Sequence, residues 1–171
     1  GEVTATVILV DFADAPASMT PAQALALISP AQDVFTEMSY GKLSYKLKPQ
    51  LKWYRMSKNS SDYVAGGWTF FKHRDYITEA AKLADADVDF STTDSLIILA
   101  NPDAKGMGYS GPAFSAIRNN GITLDGKYIS NGATSAYDLN NWKAIWLNHE
   151  ISHSMGLVDL YASTTSNPAN R

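Results

Sequence analysis

Two of the chain's three histidines stand four residues apart in "WLNHEISHSMGLVDLY", Trp146 to Tyr161, with a glutamate directly after the first. On a helix, residues four apart share one face, so His149 and His153 can aim both imidazoles at one point. Zinc takes imidazole nitrogens about 2.0–2.1 Å away in a tetrahedral site, and this spacing supplies two of them without bending the backbone. Glu150 lies beside that face, three residues before His153. There it can take the proton of a water that the metal has acidified, as the water attacks a carbonyl. His-Glu-x-x-His on a helix is the metalloprotease pattern for this reason. By average residue usage it arises by chance in fewer than about one in a hundred chains of this size.

The third ligand must come from residues beyond the end of the helix. Gly156 can take the left-handed conformation that ends a helix and turns the chain back. Asp159 comes three residues later. A carboxylate oxygen is an acceptable zinc ligand, and Asp159 is expected to be one. The competing role for it is to orient a histidine from behind. Trp142, Ile145 and Trp146 are expected to bury the helix against a sheet, where a metal would compensate its polar groups.

The rest of the chain must position these residues. Val3–Phe12 reads as a buried strand. Thr20 with Pro21, and Ser29 with Pro30, mark two helix starts, and Gly41 ends the second. Val34, Phe35, Met38 and Tyr40 give that second helix an apolar side. Lys42–Met56 alternates, with Leu43, Tyr45 and Leu47 on one face and lysines on a solvated one. Residues 59–67 read as a loop, and Phe71–Ala86 as a helix with Tyr76, Ile77, Ala80, Ala81, Leu83 and Ala84 on one side. Leu96–Ala100 is a second buried strand. A glycine-rich loop without phosphate-loop spacing comes next. Residues 122–130 carry a hairpin turn at Asp125-Gly126. Asn140 or Asn141 then caps a last helix reaching about Met155. The order implies an α/β (α+β) fold in one domain, a mixed sheet with packed helices.

Bulk properties narrow the function. The 171 residues suffice for one domain with a core. A net charge of −3 without a basic stripe argues against nucleic acid as a partner. No apolar run has the length of a membrane span. The chain has no cysteine, which removes disulfides and thiolate metal sites.

The segment "HEISHSMGLVDLY" resembles the active-site segment of immune inhibitor A-type metallopeptidases. "VILVDFAD" (Val7–Asp14) is similar to the opening strand of that family, and "VFTEMSYGKLSYKLKP" (Val34–Pro49) to its helix and the strand after it. Snapalysin-like peptidases share the aspartate-bearing motif and are a more distant match. The resemblance implies a zincin-like fold whose active-site helix carries the motif. It implies a secreted bacterial zinc endopeptidase with one catalytic Zn2+, acting on protein or peptide substrates and made with a propeptide and further domains. Zinc ligands carry over to His149, His153 and Asp159, and the general base to Glu150. The chain departs from the pattern at Val158, where proline is frequent, and at Ser152, where glycine is usual. A methionine turn expected after the third ligand is not seen. The catalytic domain is therefore expected to lack its C-terminal subdomain, and a later carboxylate remains an alternative third ligand.

Other residues have lesser roles. An edge strand usually binds the substrate backbone in such sites, and residues 126–137 are the candidate, with Tyr128 and Ser130. Tyr161 is expected to pack beside the metal, with donation to a developing oxyanion as its other reading. His73 is expected on the surface or at a helix cap. Asp85, Asp87 and Asp89 alternate as calcium ligands do, but without the glycine and glutamate of a calcium loop, so Ca2+ is a minor expectation. Two other readings stay open: a zinc-binding adhesion or binding domain without turnover, and a metal-free structural domain.

Overall fold

The computed structural model describes residues 1–108 and 113–159. Its centre is a mostly parallel five-stranded sheet. Strand β1 (Glu2–Asp11) lies between β2 (Ser44–Arg55) and β3 (Ser95–Ala100); β7 (Asn131–Thr134) lies next to β3, and β4 (Phe114–Ser115) closes the edge. All pairings are parallel except β4 with β7, which is antiparallel. A separate hairpin pairs β5 (Ile122–Leu124) with β6 (Lys127–Ile129).

The period-two alternation of the central strands divides the core in two. Ile8 and Val10 of β1 and Leu96 and Ile98 of β3 pack on one face with Tyr76, Ile77, Ala80 and Ala81 of helix α4 (Phe70–Ala84). Val7 and Leu9, with Ile97 and Leu99, pack on the other. That second face is covered by α1 (Pro21–Ala26), α2 (Ala31–Met38) and α5 (Leu139–Ser154). Burial on both faces is why Val7–Val10 of β1 and Leu96–Ala100 of β3 read as unbroken apolar runs.

Local signals hold at several ends. Thr20 and Gln23 form a reciprocal capping box at α1. Asp125 and Gly126 both have positive φ, the demand of a two-residue hairpin turn. The lysines of β2 are exposed, as expected of a wet face.

Several expectations are corrected. Pro30, not Ser29, occupies the cap position of α2, without a side-chain bond. The loop expected at residues 59–67 contains a short helix, α3 (Ser60–Val64). Part of the glycine-rich loop is strand β4. Residues 126–137 do not form one edge strand: they divide into β6, in the hairpin, and β7, which is interior. Gly132 explains the interior place of β7, because a Cβ there would run into the Leu96 carbonyl oxygen. The last helix starts at Leu139 after Asp138 and breaks at Lys143 (φ 46°, ψ −126°). Leu83, Met38 and Tyr40 are exposed rather than buried.

Candidate metal centre

Helix α5 sits over the second core through Trp146, Leu147 and Ile151, which are at most 4 % exposed. Trp142 and Ile145, expected to share this burial, instead stand 56 % and 66 % exposed. Ile145 lies one turn before His149 and shares its open face, while Trp142 directly precedes the break at Lys143.

With Leu147 and Ile151 facing inward, His149 and His153 emerge on the open side. Their rings approach edge to face, with centroids 4.6 Å apart and the Nε2 atoms 3.1 Å apart. Asp159 reaches the same point. Its Oδ1 lies 3.4 Å from Nε2 of His149 and 3.5 Å from Nε2 of His153. Among the described residues, these three form the group whose atoms converge closely enough to hold a metal ion. Four ligands at 2.0–2.1 Å in a tetrahedron are separated by about 3.3–3.4 Å from one another. The observed separations of 3.1, 3.4 and 3.5 Å fit three corners of that figure.

Asp159 gets there by a helix-ending turn. Gly156 takes φ +91°. Its N–H donates to the His153 carbonyl, and the Leu157 N–H donates to the Ser152 carbonyl. Together these are the paired bonds of a Schellman motif. The same turn presents the Leu157 carbonyl to Nδ1 of His153 at 3.0 Å. With the proton on Nδ1 donated there, Nε2 keeps its lone pair for the converging point. The glycine thus sets both the third donor and the tautomer of the second.

Glu150 takes a different side of the helix. It is 5 % exposed, and its Oε2 accepts the N–H of Ala113 at 2.7 Å, at the entry to edge strand β4. Burial pushes its carboxyl above the ordinary range, while His149, the Ala113 N–H and His153 pull it down. Ala113 was not foreseeable from sequence, since only the docking of β4 beside α5 brings its N–H to the glutamate.

The other candidates fall elsewhere. Tyr128 is part of the small hairpin, where its hydroxyl accepts the Gly121 N–H and donates to the Arg118 carbonyl. The Ser130 carbonyl accepts the N–H of Ala116. Neither residue lines the cleft over His149 and His153. Tyr161 lies outside the described residues. His73 is neither a surface nor a capping residue: it is 4 % exposed, with Nε2 2.8 Å from the Thr134 hydroxyl. Desolvation lowers its pKa to about 4. Asp87 pairs with Lys52 and Tyr54, and Asp89 accepts the Ser91 N–H. Among the described residues no helix is long and apolar enough to cross a membrane. Compared with known proteins, the chain matches no family model and no curated protein.

Proposed function

We propose that this chain is a zinc-dependent endopeptidase. The observation that carries the reading is the convergence of His149 Nε2, His153 Nε2 and Asp159 Oδ1 at tetrahedral spacing, one residue from a buried glutamate. Among the described residues these three side chains would hold the ion, and three protein ligands are the number that catalytic zinc sites use. When bound, zinc supplies Lewis-acid polarisation and lowers the pKa of water.

Glu150 is the general base. It takes the proton of the attacking water and returns it to the leaving amine nitrogen. The Ala113 N–H holds Oε2 and so fixes the carboxylate that accepts the proton. Burial brings the carboxyl closer to the working pH of a proton shuttle. Strand β4 is an antiparallel edge strand next to Glu150, and such an edge supports binding of an extended peptide by main-chain hydrogen bonds. A mostly parallel sheet with one antiparallel edge beside the motif-bearing helix supports a zincin-like fold. The resemblance to immune inhibitor A-type peptidases extends the reading to a secreted bacterial enzyme.

Zinc content and casein cleavage, measured together for the wild type and Glu150→Ala, test this. The expected result is about one zinc per chain in both, with cleavage lowered by about 10²–10⁴-fold in the variant. Equal cleavage by the two proteins would refute the base. The competing reading, a zinc-binding module without turnover, draws on the bond that already occupies Oε2 of Glu150. Chelator-sensitive cleavage by the wild type excludes that reading.

A further inference from the structure

The three converging donors form one end of a cleft of about 410 Å³. The rest of its lining is mainly apolar: Met38 from the end of α2, Ile145 one turn before His149, and Leu157 and Val158 from the Schellman turn. These side chains are unusually open for their type, at 58 %, 66 %, 57 % and 74 % exposure. Singly exposed apolar residues are ordinary, but four around one cleft form a patch of the kind that marks a binding surface. Three separate segments contribute to it, and α2 meets α5 where Asn148 donates to the Ala31 carbonyl.

We infer that this wall is a specificity pocket for a large aliphatic or aromatic side chain next to the scissile bond. The inference rests on the endopeptidase reading and deepens it. The cleft and the donors share one lining, so a peptide whose carbonyl lies at the converging point places a neighbouring side chain against Met38 and Ile145. Among the described residues the lining has no lysine or arginine, and its one carboxylate, Asp159, is a proposed ligand. A charged substrate side chain would lose water there and find no partner. An apolar one would remove both its own surface and the wall's from water.

Hydroxamates test the wall without requiring turnover, because the hydroxamate group binds zinc and the attached side chain probes the surroundings. Acetohydroxamate and an analogue bearing an isobutyl group are titrated by calorimetry into the zinc-loaded chain. The isobutyl compound is expected to bind at least about tenfold more tightly, the usual scale for burying one or more methylenes in an apolar pocket. Met38→Ser and Ile145→Ser are each expected to shrink that ratio severalfold. Both residues are exposed and outside the core, and acetohydroxamate reports whether the metal site is intact in each variant. Equal affinities for the two compounds in the wild type would overturn the pocket while leaving the metal reading in place. Sedimentation at the same concentrations then shows whether a second copy covers the patch, which is also a refutation. Failure of zinc or acetohydroxamate to bind at all would overturn the endopeptidase reading and the pocket with it.

Discussion

Gly156 is the residue on which the geometry of the centre turns. An alanine Cβ there would meet nothing within 4 Å, so a substitution costs conformation and not packing. At φ +91° that cost is about 1–2 kcal/mol for an L side chain. The larger effect is on the site. If the turn rearranges, the Leu157 carbonyl leaves His153 and the Asp159 carboxylate leaves both imidazoles. Loss of such an orienting bond typically lowers metal affinity 10–100-fold. Gly156→Ala is therefore expected to weaken zinc binding by about that factor while lowering stability only slightly, as read by competition with a metal indicator and by thermal unfolding. Unchanged affinity would mean that the turn does not orient the donors. Asp159→Asn separates the two roles considered for this residue. An amide keeps the shape but loses the anionic oxygen. A ligand is expected to lose zinc affinity by more than about tenfold, and an outer partner by less.

At the scale of elements, the buried His73 links α4 to the edge of the sheet. Its ring faces Phe114 of β4 at 6.0 Å and Trp68 at 5.3 Å, and it bonds to Thr134 of β7. Its pKa falls from the ordinary 6.5 to about 4 because protonation would charge a desolvated ring. Between those values the unfolded chain binds more protons than the folded one, so stability rises with pH. The contribution is fully present above pH 6.5 and is lost as pH falls toward about 4, to a total of about 3 kcal/mol. Urea unfolding between pH 4.5 and 7 should show this slope in the wild type, and His73→Met should flatten it. A variant with the same slope would place the pH dependence elsewhere. His73 stands three and four residues before Tyr76 and Ile77, so the spacing put it on the buried stripe of α4; its residue type, which is mostly found at least partly exposed, hid that signal. Strand β4, which has two residues and no alternation to read, was not legible, and neither was the break at Lys143. By contrast β1 and β3 were legible because burial on both faces makes Val7–Val10 and Leu96–Ala100 apolar without a break. The metal face of α5 was legible because i,i+4 spacing is a local property of the helix. The cleft wall was not, because Met38 reaches His149 only through the packing of α2 on α5.

For the whole molecule, the question is how far the last turn of α5 is coupled to the fold. Trp146, Leu147 and Ile151 anchor it to the same core as Val7 and Leu9 of β1 and Ile97 and Leu99 of β3. The three donors come together only when that helix is formed, so an ion held by them binds the folded chain and not the unfolded one. Such binding stabilises the folded state by about 4 kcal/mol when free zinc is a thousandfold above its dissociation constant. For a chain of this size each kcal/mol moves the melting temperature by about 2–4 °C. Removing zinc with a chelator is thus expected to lower the melting temperature by roughly 8–16 °C, with the shift growing logarithmically with free zinc. His149→Ala should abolish the zinc dependence while leaving the chelated melting temperature close to that of the wild type, because His149 is exposed and stands outside the buried core. If zinc binds tightly but leaves the melting temperature fixed, the end of α5 opens before the rest of the fold, and the site is a separately melting unit. A melting temperature that tracks zinc in the wild type and not in His149→Ala would tie the converging donors to the stability of the entire sheet.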